Sequence, residues 1–108
     1  MANDRLSQLR AMLADEPGDR FLRYAIALEH RRRGDMEQAV AMLEELLTED
    51  PKYIACYYQL ALMLAELGRV AGAIETCAAG SLQCLVSGDV KARAELLALK
   101  AALEEGDE

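Results

Sequence analysis

Aromatic residues are scarce in this 108-residue chain: there is no tryptophan, one phenylalanine and four tyrosines. Aromatics interleaved with a basic patch, the stacking surface of single-strand binders, are therefore absent. Histidine occurs once, at His30, mid-helix, so the serines lack a plausible base and no zinc-like Cys/His spacing exists. No glycine-rich phosphate loop is present. The three cysteines, Cys56, Cys77 and Cys84, form no CxxC pair, and their odd number fits no disulfide framework. Cys77 and Cys84 share one helical face, where thiols pack as small apolar residues, so core packing is expected over redox or metal roles. The carboxylates fall on exposed helical faces, a poor setting for catalytic pKa shifts. No catalytic, cofactor-binding or metal-binding residue is expected, and the chain does not read as an enzyme. No apolar run approaches the ~20 residues of a membrane span. The first residues, Met1-Ala2-Asn3-Asp4-Arg5, lack the order of a secretory leader, so a cytoplasmic location is expected.

What the chain has is alanine, leucine and acid. Hydrophobic residues make up 53%, and with aromatics at 5% and β-branched runs scarce, close-packed helices are favoured over a sheet. The net charge of −7 argues against nucleic acid and anionic membranes as partners. The length suits one domain with a modest core.

The pattern that organises the chain runs from Ile54 to Ser81. Tyr57, Leu60, Ala61 and Leu64 precede Gly68, and Ala73 and Cys77 follow it, with apolar spacings of three and four on each side. This predicts two antiparallel helices meeting at small residues, with Gly68 at the turn. The pattern repeats 34 residues earlier: Tyr58, Leu62, Gly68 and Ala73 fall on Tyr24, Leu28, Gly34 and Ala39, and Pro51 falls on Pro17. On these residues the chain resembles the tetratricopeptide repeat (TPR) family, over roughly residues 4–85. The resemblance implies an all-α fold, antiparallel helix-turn-helix repeats in a short right-handed superhelix (an α-solenoid). A single domain, 1–108, is expected, divided into an N-terminal capping helix (4–17), repeat one (20–53), repeat two (54–87) and a C-terminal helix (88–105).

Caps support these divisions. Asn3 or Asp4 can start the first helix, Asp19 the second, and Ser87 or Asp89 the last. Leu6, Leu9, Met12 and Leu13 form the first helix's apolar stripe. Ala27, Ala39, Leu43, Leu60, Ala61, Leu64, Ala73 and Ile74 are expected in the core. The helix after Gly68 should end near Leu85, run longer, or kink at Gly80, and Gly106-Asp107-Glu108 should fray. Arg23 stands where the family usually has a large apolar residue. His30 reads as a core or edge histidine. Arg31-Arg32-Arg33 suits the negative end of a helix dipole, and Arg31 and Arg32 are alternatively contacts for an acidic peptide.

The resemblance further implies a non-catalytic protein-protein interaction module. The first helix of each hairpin would line a concave groove: Phe21, Tyr24, Leu28, Arg31 and Arg32 from repeat one, and Ala55, Tyr58, Leu62, Ala65 and Glu66 from repeat two. This lining is mostly apolar, so an apolar or helical peptide segment is the expected ligand. The alternative is a structural or oligomerising subunit whose groove and C-terminal helix are buried in a homodimer or larger assembly. The last helix carries two apolar stripes. Val90, Ala94, Leu97 and Ala101 are expected to pack on the second hairpin. Ala92, Leu96, Leu99 and Leu103 are expected to fold back into the concave groove, to face a dimer partner or to await a different protein, the dimer being favoured because two-fold association buries such a stripe with one gene product.

Overall fold

The computed structural model describes residues 4–106. Among them are six α-helices and no strand: α1 (Arg5–Asp15), α2 (Arg20–Arg32), α3 (Met36–Glu49), α4 (Ala55–Glu66), α5 (Val70–Ser87) and α6 (Val90–Gly106). The chain divides into two compact units, Met1–Glu49 and Asp50–Glu108. Each holds one helical hairpin and one flanking helix: α1 accompanies the hairpin α2–α3, and α6 accompanies the hairpin α4–α5.

Local chemistry sets the helix ends. Asp19 Oδ1 accepts the Leu22 N–H at 2.9 Å at the start of α2, and Asp4 and Asp89 cap α1 and α6 through Leu6 and Ala92. Asn3, the other candidate for α1, lies outside the described residues, as do Asp107 and Glu108. Gly106, expected in the frayed tail, is the last residue of α6. The two hairpin turns close alike. Gly34 (φ 89°) and Gly68 (φ 80°) take the left-handed conformation. The Asp35 N–H then donates to the His30 carbonyl, and the Arg69 N–H to the Leu64 carbonyl, each at 2.8 Å. Equivalent residues thus make equivalent bonds one period apart.

In the first unit, Leu6 and Leu9 of α1 cluster with Leu22 and Ile26 of α2, with Leu13, Ala25 and Met42 packed around them. Met12 is exposed rather than inward. It lies about 100° round the helix from Leu13, off the face that Leu6, Leu9 and Leu13 define. From α3, Ala39, Val40, Leu43 and Leu46 are buried.

In the second unit, α4 buries Cys56, Tyr57, Leu60, Ala61, Met63 and Leu64, and the Tyr57 hydroxyl donates to the Pro51 carbonyl at 2.6 Å. The helix α5 runs two residues beyond Leu85 as one continuous helix through Gly80. Its inner line is Ala73, Cys77, Gly80, Ser81 and Cys84. Ile74, expected in the core, is half-buried, because it stands about 100° from Ala73. Gly80 is present because two side chains occupy the space of its missing Cβ. A Cβ there would meet Tyr57 Cβ at 2.7 Å and Leu96 Cδ1 at 2.9 Å.

That notch fixes the rotation of α6, which packs on α5 and touches α4. The expected faces of α6 are exchanged. Leu96 is 1% exposed, and Ala92, Leu99 and Leu103 are half-buried, while Val90, Ala94, Leu97 and Ala101 face solvent. The physical reason is area: three leucines bury more apolar surface than one valine, one leucine and two alanines.

Two glycines in α5 separate packing from propensity. Gly80→Ala overpacks the seam and is expected to destabilise by about 1–3 kcal/mol in chemical denaturation. At Gly72 a Cβ would meet only Leu64 Cδ1, at 3.7 Å. Gly72→Ala is therefore expected to stabilise by about 0.5–1 kcal/mol through helix propensity. Equal effects at both sites would contradict the notch.

Candidate interaction surface

In α2, positions 21, 24, 28, 31 and 32 fall on one side of the helix by its period. Phe21 is 64% exposed, Arg32 is exposed, and Tyr24, Leu28 and Arg31 are half-buried. With Arg5 of α1, the side chains of Phe21, Tyr24, Ala25, Leu28, Glu29 and Arg32 line a concavity of ≈ 280 Å³.

Glu29, a residue that the sequence reading did not single out, is buried despite its charge. Arg32 Nε donates to both of its carboxylate oxygens, at 3.1 and 3.0 Å, and Arg5 Nε lies 3.8 Å away. The Arg32 hydrogen bonds hold the Glu29 carboxyl below its ordinary range against the cost of burial. Its one sequence signal is the i,i+3 spacing to Arg32. One carboxylate between two guanidiniums leaves the rim cationic. Beside it, Arg33 Nη1 donates to both oxygens of Asp4 at 3.1 and 3.0 Å, tying the end of α2 to the cap of α1. Arg32 and Arg33 thus both pair with carboxylates.

Arg23, at the position usually large and apolar in the resembling family, makes a bidentate pair with Glu49 at 2.9 and 2.8 Å, with Glu45 at 3.8 Å. The fork matches a carboxylate better than a lysine would. It lines a second concavity of ≈ 340 Å³ with Leu13, Pro17, Met42, Glu45 and Glu49. His30 is buried, its Nδ1 3.5 Å from Asp35 Oδ2, as an edge-of-core residue. Among the described residues, no group of three or more His, Cys, Asp or Glu side chains could hold a metal ion.

In the second unit, Ala55, Tyr58 and Glu66 are exposed and Leu62 and Ala65 half-buried along one side of α4. Leu96 leaves the expected partner-facing stripe for the protein's own core, so that stripe, Ala92, Leu96, Leu99 and Leu103, is not an open surface. Cys56, Cys77 and Cys84 are buried, and burial pushes the Cys77 and Cys84 thiols up. A surface that the sequence reading missed lies at the end of α5, where Leu82, Leu85 and Val86 are exposed. The signal was available, since no residue from Thr76 to Gly88 is charged. By length and composition α5 is apolar enough to cross a membrane, although its inner line is packed within the unit.

The carboxyls of Asp4, Glu29 and Glu49 are all held below their ordinary range, chiefly by hydrogen bonds from Arg33, Arg32 and Arg23. Depressed folded-state values mean that these pairs stabilise above the unfolded carboxylate pKa and lose that contribution as pH falls through the folded one. The melting temperature is expected to fall below about pH 4. Glu29→Gln is expected to flatten this acid limb, and an unchanged limb in thermal melts from neutral to acid would show that the pair contributes nothing.

The model of the tetratricopeptide repeat matches residues 30–84. A solution structure of a tetratricopeptide repeat domain protein from Salinibacter ruber is 37% identical, with a TM-score of 0.80 over 82% of this chain and 90% of that chain. A crystal structure of such a domain from the same organism, also 37% identical, gives 0.76 over 81% and 97%. The solution structure of a Bordetella parapertussis protein gives 0.84 at 25% identity, over 97% of this chain and 91% of that one. No curated protein matches the chain.

Proposed function

Because the chain belongs to the tetratricopeptide repeat family, whose repeats generally mediate protein–protein interaction and are generally non-catalytic, we propose that it is a binding module whose α2 face takes an apolar, helical peptide segment carrying an acidic residue. The observation that carries this is Phe21, a large aromatic left 64% exposed beside an apolar concavity rimmed by Arg5 and Arg32. An exposed aromatic at such a rim costs little conformational entropy to bury and is the residue type that anchors interfaces. The guanidiniums add a directional contact for a carboxylate at the edge of the apolar contact. Ala55, Tyr58, Leu62, Ala65 and Glu66 of α4 are proposed as a contact face of the second unit in its own right.

The test uses an array of synthetic amphipathic helical peptides, with and without an acidic residue beside the apolar anchors, read by fluorescence anisotropy. Acidic versions are expected to bind more tightly. Phe21→Ser is expected to weaken binding at least ~10-fold, equivalent to about 1.4 kcal/mol, without loss of fold because the side chain is exposed. Backbone amide shifts confined to α3, or unchanged affinity in Phe21→Ser, would overturn the reading.

A further inference from the structure

Glu29 stands on the inward line of α2, one turn beyond Ile26 and two beyond Leu22, where the helical period calls for an apolar residue. Leu22 and Ile26 belong to the core of the first unit. The repeat itself shows what the fold asks for at this place: 34 residues on, the equivalent position is Met63, which has no solvent exposure. Burying a carboxylate costs desolvation, and a buried ion pair is often no more stabilising than a well-packed apolar residue of similar volume. Packing alone therefore does not account for an acid at position 29.

Its partners show what it does. Arg32 approaches side-on: Nε donates to both carboxylate oxygens, at 3.1 and 3.0 Å, and Nη2 donates to Oε2 at 2.5 Å. A guanidinium is a planar fork with five N–H donors, so this leaves the end-on edge, Nη1 with the second Nη2 proton, turned away from Glu29. The Arg32 side chain is 68% exposed, which puts that edge within reach of a ligand. Arg5 Nε lies 3.8 Å from Glu29 Oε1, and its side chain is 64% exposed. One buried carboxylate thus anchors two exposed guanidiniums, from α1 and α2, at the rim of the concavity that Phe21 lines.

Two effects of opposite sign follow. The charge of Glu29 repels an acidic ligand, whereas its hydrogen bonds hold a fork in place to receive one. The repulsion is offset at contact, because two exposed guanidiniums flank the buried charge and outnumber it. Nothing replaces the orientation: without Glu29 the two cations repel each other, and both long side chains regain their rotamers in water.

We propose that Glu29 is a positioning residue that sets ligand specificity: it holds Arg32, with Arg5 beside it, in the orientation that receives a ligand carboxylate on two parallel N–H groups. The inference rests on the α2 face as a peptide-binding surface and adds the residue that gives that face its preference for an acid.

The probe is a pair of amphipathic helical peptides that differ in one residue beside the apolar anchors, glutamate or glutamine, titrated against the full chain by fluorescence anisotropy. Wild type is expected to prefer the glutamate peptide at least ~5-fold. Glu29→Met, which takes the residue of the second repeat, is expected to keep its far-UV circular dichroism spectrum. It is expected to bring the preference below ~2-fold, with the glutamine peptide bound as before. Glu29→Gln, closer in shape, is read in the same way and carries the test if the methionine variant unfolds. Arg32→Lys keeps the charge without the fork and is expected to lose the preference as well. Adding Glu29→Met to Arg32→Lys is then expected to change nothing further. A wild type that binds neither peptide, or both alike, overturns the binding reading and this inference with it. A preference that persists or rises in the folded Glu29 variants overturns the inference alone, as does an equal weakening of both peptides, the mark of a merely structural residue.

Discussion

Close approach of helices at positions without bulk is the constraint on which the other features depend. Ala27 and Ala39 in the first unit, and Ala61 and Ala73 in the second, have no solvent exposure at all. Two helices in a hairpin pack more tightly where alanine replaces a longer chain, and the large residues around the contact then interdigitate at the density of a protein interior. Gly80 carries the same device one helix further. By removing even the Cβ, it admits Tyr57 from one side and Leu96 from the other, and so α4, α5 and α6 pack as one seam. Mid-helix glycine is costly in isolation. Its cost here is offset by burial of two large side chains.

From that notch follows which surface of α6 meets water. A helix carrying two apolar stripes has two candidate rotations, and periodicity alone cannot choose between them. Leu96 in the notch chooses. The consequence is that the stripe turned outward is the smaller one, which leaves less apolar surface in water. A leucine-rich face left in water would instead invite indiscriminate association.

The features that were legible in the sequence are those that local chemistry decides. The 34-residue period, the aspartates that start helices and the glycines that end them depend on a few neighbouring residues, and each appears in the structure where its residue type demands it. The α2 face was legible for the same reason, since helical spacing alone puts Phe21, Tyr24 and Leu28 on one side. Features set by contacts distant along the chain were not legible. Arg23 reads as a departure from an apolar pattern until Glu49, 26 positions away, is placed beside it. The purpose of Gly80, which reads as a weak point, is visible only when Tyr57 and Leu96 are seen in the space of its Cβ. The rotation of α6 was recoverable from composition had the apolar content of its two stripes been compared, because the larger stripe gains more from burial.

Charge in this chain is organised by position more than by amount. The net charge of −7 makes the whole molecule acidic. In the first unit, however, Arg5 and Arg32 share the one carboxylate of Glu29, which fixes their direction and leaves a cationic edge local to α2. Screening confines such edges to within roughly 10 Å at moderate salt, so the long-range field of the molecule does not erase them. An acidic protein can in this way present a cationic rim to an acidic ligand at contact distance while repelling acidic bystanders further away. In the proposed binding mode, apolar contact supplies affinity and a few placed cations the choice of partner, so that a change of one charge alters which segment is bound before it alters how stably the chain folds.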